Sequence, residues 1–177
     1  MKVDIVAFGA HPDDVELGCA GSILSAIATG KSVGIVDLTQ GELGTRGSAA
    51  IRKEEATNAA YILGVSFRKN LGFRDGFFVN DKKHQMELIK MIRKYRPEIV
   101  LCNAIDDRHI DHEKGSKLVS DASFLYGLMK IENEKRLNIK MVLPNEYDWD
   151  EQIQILNKKI STKIFMSTFL DAKIKMF

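Results

Sequence analysis

Short apolar runs rich in β-branched residues alternate along this chain with longer segments in which apolar residues recur every three or four positions. That alternation restricts the fold more than any other feature. Val3 to Phe8 is a short apolar, β-branched run ending at Gly9, the pattern of a strand covered on both faces. From Val15 to Thr29 the positions Leu17, Ala20, Ile23, Leu24 and Ile27 keep helical spacing, and Gly30 closes the segment as a helix end would. The pair recurs with Ser32 to Leu38 as strand and Ala49 to Leu63 as helix, stopped at Gly64, before a weaker strand near Val65 to Leu71. Asp81 reads as the cap of a helix through Met86, Ile89 and Ile92 to Tyr95. Pro97 separates it from a strand at Glu98 to Asn103, and a further helix is expected from about Asp111 to Leu128.

Parallel strands need crossover connections, and right-handed crossovers place helices on both faces of the sheet. The expected class is therefore α/β: a Rossmann-like, mostly parallel sheet with helices on both faces. After about Ile131 the pattern degrades. Ile139 to Leu143 is compatible with a strand and Asp150 to Ile160 with a helix, but the last stretch has no clean period. Without repeats or Pro/Gly/Ser linkers, residues 1–177 read as a single domain. Ligands of such sheets bind beyond the carboxyl ends of the strands, so chemistry is expected just after Phe8, Leu38 and Asn103.

Charge narrows the partners. The 26 Lys and Arg against 24 Asp and Glu leave a net charge of +2, too balanced for a binder of the nucleic-acid backbone. The opening residues lack an apolar leader, and no apolar run approaches the ~20 residues of a membrane helix, so a cytoplasmic protein with no membrane partner is expected. Cys19 and Cys102 fit small buried thiols better than a disulfide framework.

The turn after the first strand reads Gly9-Ala10-His11-Pro12-Asp13-Asp14-Val15-Glu16, one histidine and three carboxylates within six residues. Carboxylates this close repel one another unless a cation or proton is shared, and a divalent metal satisfies His and Asp together. The alternative is that Asp13 or Asp14 merely caps the helix that starts there. The loop after the Glu98 to Asn103 strand reads Asp106-Asp107-Arg108-His109-Ile110-Asp111-His112, at another carboxyl end. His11, Asp14 and one histidine of this second loop would make a three-ligand site with a position open for water, the catalytic pattern for zinc. The fourth histidine, His84, sits beside Lys82 and Lys83 and reads as a solvated surface residue. A magnesium-dependent phospho-acceptor module would also place acids after the first strand, but it has no use for His11 and His112.

The segment AHPDDVELG together with DRHIDH resembles the paired signature of the PIG-L, or LmbE-like, family of zinc-dependent N-deacetylases. With DIVAFGAHPDDVELG, DLTQGELGTRGSAAIRKEEA and LGFRDGFF taken jointly, the chain is most similar to the branch serving bacillithiol biosynthesis, which removes acetyl from N-acetylglucosaminyl malate. The resemblance covers roughly residues 1–130. It implies a hydrolase holding Zn2+, with Fe2+ as the alternative metal, acting on a small-molecule amino-sugar substrate as a homo-oligomer. It further implies that His11, Asp14 and His112 bind the metal, that Asp13 is the general base, and that His109 protonates the leaving amine or steadies the oxyanion. Arg52 and Arg108 match arginines that hold substrate carboxylates. Arg46, in the 42–47 loop matched to the lining of the sugar pocket, is a third such candidate, and for Arg46, Arg52 and Arg108 alike the alternative is a surface or helix-flank ion pair.

Two positions depart from the wider family, Val15 in place of Glu and Ile110 in place of Pro, and neither removes a ligand. Residues 131–177 do not align with the family pattern, and no histidine follows His112, where the bacillithiol branch carries a further active-site histidine. A divergent or truncated tail is expected there. The competing reading is a catalytically impaired protein that keeps the Rossmann-like core and its metal or ligand site.

Overall fold

Side chains of successive strand residues point to opposite faces, and this sorts the core into two halves. In the computed structural model, which describes residues 1–128, Ile131 and the strand Lys140–Met141, the elements run β1 (Ile5–Gly9), α1 (Asp14–Ala28), β2 (Val33–Thr39), α2 (Ala49–Leu63), β3 (Phe67–Phe73), α3 (Lys82–Tyr95), β4 (Ile99–Leu101), α4 (Ile110–Leu125) and β5 (Lys140–Met141). Val6, Phe8, Val36, Leu38 and Val100 pack with Leu88, Ile89 and Ile92 of α3 and Leu118, Val119 and Ala122 of α4. The alternate positions Ala7, Val33 and Ile35 pack with Val15, Ala20, Ile23 and Ala26 of α1 and Leu63 of α2. Helices thus cover both faces, and every pairing is parallel, in the order β3-β2-β1-β4-β5. The α/β class read from the alternation is the observed one.

The strand order reverses at β1, which pairs with β2 on one side and β4 on the other. At such a switch point the loops leaving the two neighbouring strands diverge toward opposite faces and open a crevice between them. The His11 and His109 loops leave β1 and β4 at that crevice.

Some boundaries differ from expectation. Gly64, at φ 71°, and Val65 close α2 by donating to the Ala60 carbonyl, so β3 starts at Phe67, two residues later than the apolar pattern suggests. β4 ends at Leu101, and Asn103 is given over to the site rather than the ladder. The helix expected over 150–160 and the stretch after it lie outside the described residues. His84 is half-buried rather than solvated, its ring edge-on to Phe73 at 4.6 Å. Both cysteines are free thiols, and burial pushes Cys19 up to about 12 and Cys102 up to about 11. Among the described residues no helix is long and apolar enough to cross a membrane.

One strand position has no room for a side chain. Gly34 of β2 pairs with Phe67 of β3, and a Cβ added there would lie 2.1 Å from the Phe67 ring, itself stacked on Tyr95 at 3.6 Å. Gly34→Ala is expected to cost about 1–3 kcal/mol of stability through overpacking, measured by urea unfolding.

Candidate active site at the carboxyl ends of β1 and β4

The turn that carries His11 is tied down from both neighbouring strands. Ala10 donates its N–H to Asn103 Oδ1 at 2.9 Å, and its carbonyl accepts from the Thr39 N–H at 3.0 Å and the Thr39 hydroxyl at 2.8 Å. Gly9 makes the turn tight, because a Cβ there would sit 3.1 Å from both the Asp14 Cβ and the His11 carbonyl. Asn103 then turns its amide onto Asp14 Oδ2 at 2.9 Å, and the His11 N–H reaches the same oxygen at 3.0 Å. Asp14 is therefore aimed into the crevice by groups from β1 and β4 together.

That carboxylate stands between two imidazoles. Its Oδ1 lies 3.2 Å from His112 Nε2, and its Oδ2 lies 3.6 Å from His11 Nδ1. Two ligands of one tetrahedral ion with bonds of ~2.0–2.1 Å stand about 3.3–3.4 Å apart, so Asp14 is spaced from each imidazole much as two ligands of a zinc-sized cation would be. The three histidines form a group of their own: ligand nitrogens of His11, His109 and His112 lie within 4.8 Å of one another, with His109 standing where the sequence reading has Asp14. His109 also caps α4, its Nδ1 accepting the Asp111 N–H at 3.3 Å. Asp107 fixes the far side of His112, with Oδ2 3.0 Å from Nδ1, and accepts the His109 N–H at 2.9 Å through Oδ1. The His109 N–H and the His112 ring hold the Asp107 carboxyl below its ordinary value.

A second group, His11 with the buried Asp75 and Asp111, also closes to within 4.8 Å. Three of its four carboxylate oxygens are engaged from outside the group, by the Leu43 N–H on Asp75 and by the Gly76 N–H and Lys114 on Asp111, and the fourth, Asp75 Oδ1, faces His11 Nε2. The group works as a scaffold under His11 rather than as a second set of open donors.

The field at this site asks for positive charge. Burial alone would lower the basicity of His11, but Asp14 and then Asp75 outweigh it and push the group up to about 9. Burial alone would raise Asp14, yet hydrogen bonds from His11 and Asn103 bring it down to about 2. A divalent cation would satisfy the same carboxylates that now favour the imidazolium.

Asp13 goes the other way. It occupies the N-cap position of α1 without a side-chain capping bond and pairs instead with Arg52, Oδ1 to Nη2, at 2.9 Å. The capping role open to Asp13 and Asp14 from sequence is thus filled by neither side chain, since Asp14 reaches back to the His11 N–H. Arg52, on α2, packs its guanidinium so closely on Gly41 that a Cβ there would lie 2.6 Å from Nη1. Arg46 and Arg108 are exposed on the 40–47 and 104–109 loops. Sequence reasoning assigned no role to Asn103, Asp107, Asp75 or Asp111. The available signal was position, since each follows the carboxyl end of β3 or β4.

The family model for PIG-L, described as GlcNAc-PI de-N-acetylase, matches residues 6–123. The chain belongs to the PIG-L family. This PIG-L chain is 38% identical over 114 residues to the uncharacterized deacetylase YaiS of Escherichia coli, a match covering 61% of each chain. It is 34% identical over 134 residues to the diacetylchitobiose deacetylase of Thermococcus kodakarensis, covering 70% of this chain and 50% of the relative. Among solved structures, a conserved protein of Thermus thermophilus superposes with a TM-score of 0.76 at 32% identity, over 97% of this chain and 79% of that one. The match therefore spans between half and about three-fifths of the curated relatives' length.

Proposed function

We propose that this PIG-L protein is a metal-dependent hydrolase that removes the N-acetyl group from an amino-sugar conjugate. The observation that carries the reading is the division of labour between adjacent acids: Asp14 reaches both His11 and His112, while Asp13, next to it in sequence, pairs with Arg52 instead. His11, Asp14 and His112 would hold the ion, Zn2+ or Fe2+, with Asp107 and Asn103 fixing two of them in place. Such an ion, when bound, acidifies water toward a pKa of ~7 and polarises an amide carbonyl. Asp13 takes the proton of the attacking water, and His109, 4.7 Å ring to ring from His112, supplies a proton to the amine as the C–N bond breaks.

The substrate class follows from relatives named for de-N-acetylation of GlcNAc-PI and deacetylation of diacetylchitobiose. Within that class we favour N-acetylglucosaminyl malate, because the family resemblance matches Arg52 and Arg108, with Arg46 as a third candidate, to arginines that hold substrate carboxylates, and a guanidinium fork suits a diacid. The test is acetate and free-amine release from N-acetylglucosaminyl malate and from diacetylchitobiose by the zinc-loaded protein. His112→Ala is expected to abolish turnover and to bind zinc at least about 10-fold more weakly, one of three ligands being gone. A wild-type protein that holds about one metal per chain yet turns over neither substrate would favour the impaired reading instead.

A further inference from the structure

We propose that Asp75 selects the nitrogen of His11 that faces the metal, a reading that rests on His11 being a ligand. A neutral imidazole carries one N–H and one lone pair, so whatever accepts the N–H decides where the lone pair points. His11 Nε2 lies 3.1 Å from Asp75 Oδ1 and 3.5 Å from Asp111 Oδ2, while Nδ1 faces Asp14. Asp75 is therefore the acceptor in hydrogen-bond range, and the lone pair falls on Nδ1, toward Asp14.

Asp75 is itself held from two directions. Its Oδ2 accepts the Leu43 N–H at 2.9 Å, and its own N–H donates to Glu42 Oε1 at 2.9 Å. Its side chain is only 8% exposed, so no water competes freely for the bond to His11. Asp111 lies further from the ring and is committed elsewhere, to the Gly76 N–H at 2.7 Å and to Lys114 at 3.2 Å. Lys114 in turn bonds the Gly76 carbonyl at 3.1 Å, which fixes the segment next to Asp75. The 40–47 loop, the segment after β3 and α4 thus converge on one imidazole nitrogen, and Asp75 is a positioning residue acting through His11.

The experiment uses the full chain labelled with 15N-histidine. Long-range proton–nitrogen correlation spectra of the zinc-loaded wild type are expected to show His11 bound through Nδ1, with a slowly exchanging Nε2–H. In Asp75→Ala that proton should exchange faster and move upfield, and chelator competition should show zinc bound about 10–100-fold more weakly, the usual cost of losing such a partner. Zinc on Nε2 of the wild type, or unchanged affinity in Asp75→Ala, would overturn the proposal and leave His11 a ligand. A His11 signal unmoved by zinc would instead remove the ligand reading, and the proposal with it. The wild-type spectrum alone decides the ligand nitrogen if the variant does not fold.

Discussion

Asp13→Asn is expected to lower the deacetylation rate by about 10²–10⁴-fold, the usual contribution of a positioned proton acceptor, while leaving zinc binding in place. The substitution is nearly isosteric and removes only the ability to take a proton. Little else depends on the carboxylate. Asp13 makes no capping bond to α1, and its ion pair with Arg52 joins a side chain that is 53% exposed to one that is 19% exposed. Surface pairs of that kind contribute about 0–1 kcal/mol, so the variant should unfold within about 1 kcal/mol of wild type. The parallel Asp14→Asn change should behave differently, weakening zinc because it strips charge from a ligand that both His11 and His112 face. Acetate release and metal stoichiometry measured together separate the two roles. An Asp13→Asn protein within tenfold of wild-type activity would take Asp13 out of the proton transfer.

Adjacent acids with opposite tasks explain why part of the site was legible in the sequence and part was not. Residues at consecutive helix positions point about 100° apart, so of two acids starting a helix one can face the crevice while its neighbour faces solvent. The order Asp13-Asp14 does not itself say which. The concentration of three of the four histidines in loops after β1 and β4 did point to the crevice, because the βα alternation placed both loops at carboxyl ends. Asp75 and Asn103 carry only that position, with no cluster of histidines to mark them. Each acts through an oxygen or amide presented to a residue at least 60 positions away, a relation created by the packing of β3 and β4 rather than by any local pattern. The β3 boundary was misplaced for a similar reason. Only the hydrogen bonds that finish α2 at Gly64 and Val65 decide where pairing begins, and those depend on a left-handed glycine rather than on apolar period. His84 reads as a surface residue beside two lysines until Phe73 is brought against it.

Arg68→Met is expected to destabilise the protein by about 3–5 kcal/mol, the cost of breaking a buried ion pair by removing one partner. Arg68 lies on β3 with a side chain 8% exposed, and its guanidinium binds Asp37 of β2 in a two-point fork, Nε to Oδ2 and Nη2 to Oδ1, both at 2.8 Å. Nη1 bonds Glu16 of α1 and, at 3.2 Å, the Ala56 carbonyl of α2, while Nη2 donates to the Pro12 carbonyl at 2.9 Å. Burial lowers the basicity of a guanidinium, yet Asp37 and Glu16 more than offset it and keep the arginine charged. Without it, two carboxylates that are 3% and 4% exposed would face each other with no cation between them. Arg68→Lys keeps the charge but loses the planar fork, so its loss should be intermediate. Breaking such a set costs more than replacing it whole, so the triple change Arg68→Met, Asp37→Leu, Glu16→Leu should be more resistant to urea than Arg68→Met alone. The effect should also reach the metal, because the carbonyl that Arg68 holds belongs to Pro12, between His11 and Asp13. Zinc affinity should therefore fall in Arg68→Met even at temperatures where the variant is folded. A single variant as stable as wild type and equally tight for zinc would mean that the carboxylates find protons or water in place of the arginine.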